Sequence, residues 1–172
     1  MRLLKYYVAT TVDGFIGHED GSFDGWLFEG QHVTDYLESL NDFDTALMGR
    51  HTYEVGLHQG VTNPYPKLKS YVFSSTMTSS PDEAVTLVSG DALDFVADLK
   101  EEVGGDLYLC GGKLLASALL PLIDEVIVKV NPVLFGSGIT MFGEFKRHVD
   151  LELTKTKVYD NGVVFLHYAL KL

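Results

Sequence analysis

The stretch Asp106–Leu120, DLYLCGGKLLASALL, decides how the rest of the chain is read. Leu107 to Cys110 has the apolar character of a short buried strand. Two glycines follow, then an apolar segment of helical character that halts at Pro121. A strand that enters a helix through Gly-Gly offers unpaired backbone N–H groups and the positive end of a helix dipole. With no Cβ on Gly111 or Gly112, a phosphate or pyrophosphate can approach the main chain closely. The same residues also satisfy a tight strand-to-helix turn that holds no ligand, so the choice falls to the remainder of the chain.

The bulk properties narrow that choice. A chain of 172 residues is long enough for one domain, expected over 1–172, with its own apolar core. Its hydrophobic content of 46% and charged content of 22% are those of a soluble globular protein. The formal net charge of −11 argues against nucleic acid and against anionic membrane surfaces as partners. An anionic small molecule stays open, because backbone N–H groups and one or two cations suffice locally. Cys110 is the single cysteine, expected as a buried thiol. The N-terminal MRLLKYYV is broken by Lys5 and does not read as a signal peptide, and no run is long enough to span a bilayer. A cytoplasmic location is the expectation.

Upstream, strands are expected over 3–11, 45–48, 70–73 and 84–88, with a glycine-punctuated loop at His18–Gly25 and a helix capped by Thr34 that presents Val33, Leu37 and Leu40 on one face. Asp91 is expected to cap a helix through Val103. Downstream, Glu125–Val130 reads as a strand, and Asp160-Asn161-Gly162 as the turn of a terminal hairpin. Strands alternating with helices give an α/β class with a mixed, mostly parallel sheet flanked by helices and a C-terminal antiparallel hairpin.

Three loops follow strands in this scheme: Gly49-Arg50-His51-Thr52, Ser74-Ser75-Thr76 and Gly111-Gly112. Ligands of open α/β sheets bind beyond the carboxyl ends of strands, where such loops converge. A guanidinium, several hydroxyls and a helix start make a groove for a ligand with several phosphates. The absence of an acid before Glu54 favours NADPH over NADH, since a ribose 2′-phosphate calls for Arg and hydroxyl donors. For Arg50 a surface ion pair is the competing role. The six histidines show no ligand spacing for zinc, and no metal is expected. No nucleophile elbow or P-loop occurs. His167 reads as structural.

MGRHTYE (48–54) is similar to the MGR-x-T-x-E stretch of dihydrofolate reductases, VDGFIG (12–17) to the end of their first strand, and LCGGKLL (109–115) to their pyrophosphate loop. The ordered set, completed by IDEVIVKVNPVLFGSGITMF (123–142), most resembles the reductase domain at the C-terminal end of bifunctional riboflavin-biosynthesis deaminase/reductases. The deaminase motif pair H-x-E and P-C-x-x-C is missing, so the chain reads as a stand-alone reductase domain. The resemblance implies that Ala9, Ile16 and Gly17 line the nicotinamide edge and that Gly49, Arg50, His51 and Thr52 hold phosphate and adenosine ribose. It also implies that Ser74, Ser75 and Thr76 meet the adenosine end, that Gly111, Gly112, Lys113 and Leu114 hold the pyrophosphate, and that the domain forms a homodimer. Asp35 and Glu38 are the candidate catalytic carboxylates, expected to carry a raised pKa in a closed pocket, with a solvated helix face as the other possibility. Lys113, Lys129 and Arg147 are the available cations for a substrate phosphate. The implied activity is NADPH-dependent reduction of a small heterocyclic or sugar-derived compound such as 5-amino-6-(5-phosphoribosylamino)uracil. The alternatives are a dihydrofolate or pterin reductase and a catalytically silent nucleotide-binding dimer.

Overall fold

Strand β6 (Asp106–Gly111) lies inside an eight-stranded sheet because its side chains are apolar on both faces, as a covered parallel strand requires. Leu107 and Leu109 point to one core layer, Tyr108 and Cys110 to the other. The computed structural model describes residues 1–171; Leu172, the end of the single domain expected over 1–172, lies outside the described residues. Parallel to β6 run β1 (Leu4–Thr10), β3 (Phe43–Gly49), β4 (Lys69–Phe73), β5 (Val85–Val88) and β7 (Glu125–Val130). The terminal hairpin, β9 (Asp150–Val158) and β10 (Val164–Lys171), extends the sheet antiparallel from β7. The order is β5-β4-β3-β6-β1-β7-β10-β9, and β2 (Phe15–Gly17) pairs separately with β8 (Ile139–Thr140).

The mixed, mostly parallel sheet with its C-terminal hairpin is the architecture expected. On one face, α3 (Ala92–Glu101) and α4 (Lys113–Ala118) cover Leu4, Tyr6, Leu47, Leu107 and Leu109. Asp91 caps α3 by accepting from Leu93 N and Asp94 N, and Val96 and Leu99 are buried. Val103 falls beyond the helix end and is fully exposed. On the other face lie α1 (Gln31–Ser39) and α2 (Arg50–His58), over Tyr7, Ala46, Met48 and Tyr108. There the hydroxyls of Tyr36, Tyr65 and Tyr108 satisfy one another at 3.1 to 3.5 Å.

Two helix starts differ from expectation. Helix α1 begins at Gln31 behind Gly30, not at Thr34, because the residue it must bury is His32; Leu37, placed on the inner face by periodicity, is exposed. Arg50-His51-Thr52 is the first turn of α2 and not a loop, and α2 continues through Gly56 to His58.

Candidate active-site cleft

The register puts the three expected loops at one edge of the sheet. Gly49 pairs with Phe73, and Met48 pairs with Gly111, so β4, β3 and β6 end side by side. A Cβ on Gly49 would lie 3.4 Å from Gly112 N, and one on Gly112 would lie 3.2 Å from Thr52 Oγ1. Side chains at either glycine would fill the space where the α2 and α4 starts face each other. The backbone is bare there, and neither helix start carries a side-chain cap. Uncapped N–H groups set against glycine backbone form a cradle of donors, the chemistry that suits an anion.

Arg50 stands beside this cradle and is held loosely. Its guanidinium is 3.8 Å from Glu54 and 3.3 Å from His51 Nε2. Ser74 Oγ accepts from Thr76 N at 3.2 Å and Met77 N at 3.0 Å, fixing the turn that exposes Ser75 and Thr76 at the end of β4. Lys113 and Leu114 open α4 in exposed positions. At the end of β1, half-buried Ala9 is followed by a turn in which Gly14 donates to Thr11 O at 3.1 Å. Asp13 accepts from Gly136 N at 2.8 Å and Phe135 N at 3.2 Å, tying the glycine-rich loop after β7 to the return strand that carries Ile16 and Gly17. Gly138 has a φ of +145°, and a Cβ there would be 2.3 Å from Gly17 O, which explains a glycine at that place.

The expected carboxylates take a different part. Asp35 and Glu38 line a groove of about 330 Å³ with Tyr7, Lys157, Tyr159 and His167, sharing no residue with the glycine cradle. Asp35 bonds Gln31 at 3.0 Å, the Lys157 ammonium and the Tyr159 hydroxyl, and these partners hold its pKa below the usual carboxylate range. The expectation of a raised pKa at Asp35 is therefore reversed: hydrogen bonds and an ammonium stabilise the ionised form where a closed apolar pocket would have penalised it. Asp35 is a tether between α1 and the hairpin. Because folding lowers its pKa from 3.8, its stabilising effect is complete above that value and is lost as pH falls through the folded-state value. Asp35→Asn should flatten the acid side of the thermal-stability profile below about pH 4; calorimetry that gives parallel profiles for variant and parent would contradict this.

Two polar residues near the cleft were missed as such. Buried Asn131 donates to Thr10 O at 3.2 Å and accepts from Leu27 N at 3.2 Å, clamping the end of β1 to the segment before α1. Lys129, considered only as a phosphate counter-charge, sits beside Ala9. The signal for both was a polar residue set in the apolar run EVIVKVNP. Burial pushes the Cys110 thiol up to about 12, which keeps it protonated. His167 bonds Glu125 at 3.0 Å and has a structural part. Among the described residues, no three His, Cys, Asp or Glu side chains are grouped to hold a metal, and no helix is long and apolar enough to cross a membrane.

Comparison with known proteins bears on the same region. The model of the RibD C-terminal domain matches residues 2–165. The uncharacterized protein YwjB of Bacillus subtilis (strain 168) is 39% identical over 166 residues, spanning 94% of each chain. A crystal structure from Shewanella sp. PV-4, provisionally assigned to riboflavin biosynthesis, superposes with a TM-score of 0.86 at 28% identity over 99% of both chains. Dihydrofolate reductase from Enterococcus faecalis, crystallised with NADP(H), superposes with a TM-score of 0.71 at 20% identity over 98% of this chain and 96% of that one, which makes the fold dihydrofolate reductase-like.

Proposed function

The chain belongs to the RibD C-terminal domain family, and from that membership we propose that it is an NADPH-dependent reductase. Its substrate would be a small heterocyclic or sugar-derived molecule, of the 5-amino-6-(5-phosphoribosylamino)uracil type. The family is a reductase family; the cofactor and the substrate class are our reading. The observation that carries it is the approach of Gly49 and Thr52 to Gly112, which joins three strand ends in one glycine-lined cradle with Arg50 at its side.

In this reading the N–H groups that open α2 and α4 hold the phosphates, Arg50 and the Ser74–Thr76 turn meet the phosphorylated ribose, and the main chain of Ala9 and Gly17 meets the nicotinamide. The bound cofactor supplies hydride. A pterin reductase fits less well. Of the α1 carboxylates Asp35 and Glu38, which line the groove by the hairpin, Asp35 is held ionised by Lys157 and Tyr159 and is committed to that tether.

NADPH at about 100 times its Kd should stabilise the fold by roughly 2.7 kcal/mol, read as a rise in the unfolding midpoint. If neither NADPH nor NADH raises it, the reading falls. Binding without consumption of NADPH, tested with 5-amino-6-(5-phosphoribosylamino)uracil and dihydrofolate, would identify a silent nucleotide binder instead.

A further inference from the structure

Strand β7 places a lysine among valines and isoleucine, EVIVKV. Register sets Lys129 between Ala9 of β1 and Phe165 of β10. Its strand neighbours Val128 and Val130 face α3 and α4, so Lys129 faces the α1 side, with Ile127 and Phe165. The half-buried side chain crosses to the segment before α1, where Nζ donates to Leu27 O at 2.6 Å and lies 5.6 Å from the centre of the Phe28 ring.

An ammonium has three N–H donors, and Leu27 O takes one of them. The groups facing it are the Leu27 carbonyl and Phe28 from that segment, His32 from α1, Ala9 from β1 and Phe165 from β10. Of these His32 is titratable, and Tyr7 lies one pleat along on the same face of β1. The Nε2 of His32 lies 2.9 Å from the same Leu27 O, and its Nδ1 lies 3.1 Å from the Asn161 side-chain amide. Desolvation lowers the Lys129 pKa to about 8, and among the described residues no carboxylate pairs with Nζ. A half-buried cation with no ion pair among the described residues is costly to the fold, and such costs collect where chemistry uses them.

We infer that Lys129 is the substrate-facing cation of the cleft, taking a ligand whose reducible carbon bears a carbonyl oxygen or imine nitrogen and giving that heteroatom its proton. This rests on the reductase reading, which supplies the reduced nicotinamide as the two-electron donor. Hydride arrival makes a C–H bond and opens the π bond, leaving an electron pair on the heteroatom. That pair takes a proton from Nζ, and the resulting amine regains one from water. The substrate is reduced and the cofactor oxidised.

Competitive acetylation of the whole protein across pH, read residue by residue by mass spectrometry, tests the assignment. Lys129 should label with a midpoint near 8, against an ordinary lysine value of about 10.4, and exposed Lys146 and Lys155 are read in the same experiment for comparison. Saturating NADPH should slow labelling of Lys129 at least about fivefold and leave Lys146 unchanged. With 5-amino-6-(5-phosphoribosylamino)uracil or dihydrofolate, whichever is turned over, Lys129→Gln should lower kcat about 100-fold with NADPH affinity retained, and Lys129→Arg should move the alkaline limb of kcat upward. A Lys129 profile that overlays the exposed lysines overturns the inference. So does unchanged labelling under NADPH that does raise the unfolding midpoint. Absence of any midpoint rise counts against the reductase reading, and the acetylation profile still decides the state of Lys129.

Discussion

Arg50→Ala should weaken NADPH binding by about 10- to 100-fold and leave NADH binding within about twofold. Hydrogen bonds to a charged group are worth roughly 1.5–3 kcal/mol, and tenfold in affinity corresponds to about 1.4 kcal/mol. The selectivity follows from where the charge lies. In the proposed reading, helix starts and glycine backbone would serve the phosphates common to both cofactors, whereas the guanidinium that follows β3 would serve the one phosphate that differs. The fold should survive the change, because the ion pair to Glu54 is long at 3.8 Å and partly exposed. Arg50→Lys should recover only part of the loss, since a point charge cannot repeat a planar fork. Calorimetric titration of both cofactors gives the comparison. Equal losses for NADPH and NADH would show that Arg50 supports the cradle in general and does not read the 2′-phosphate.

How much of this could be read beforehand depended on whether the cause was local. Gly111-Gly112 after an apolar strand, and Asn161-Gly162 between β-rich runs, announce their geometry within a few residues, and both stand where expected. The convergence of Arg50, Ser74 and Gly111 followed from sheet topology alone, because parallel strands end at one edge. The part of Asp35 could not be read in this way. Its partners Lys157 and Tyr159 are more than a hundred residues away, and their approach depends on the hairpin adding to β7. The start of α1 was misplaced for a related reason. Propensity favours Thr34 as a cap, but burial of His32 against Leu27 O and Asn161 requires an earlier turn. Lys129 was visible as a charge in an apolar run, and only the register with Ala9 shows which ligand that charge would meet.

Asp124→Ala should cost about 3 kcal/mol of stability with no change in NADPH affinity. The Asp124-Glu125 pair belongs to the motif by which the chain resembles riboflavin-type reductases, so a place in the catalytic machinery would be the simple assumption. Its position says otherwise. Both residues sit at the amino ends of the parallel strands, across the sheet from the cradle. Asp124 Oδ2 accepts from Leu4 N at 2.7 Å and from Lys100 Nζ at 2.5 Å, and Lys100 is buried. Glu125 bonds His167 at 3.0 Å and pairs with Lys5 at 3.5 Å. The motif thereby ties β1, β7, β10 and α3 together at the edge remote from the glycine cradle. Removal of Asp124 leaves the Lys100 ammonium in the interior with only Leu122 O at 2.7 Å, and a stranded buried charge is among the costlier single changes. For a domain of this size the unfolding midpoint should fall by about 6–12 °C. Adding Lys100→Met should return part of that loss, because the two residues share one interaction and their effects do not add. Urea unfolding of the single and double variants, set beside NADPH titration of each, separates the two possibilities. An Asp124→Ala protein of parental stability that binds NADPH weakly would move the motif from the frame of the fold into the site.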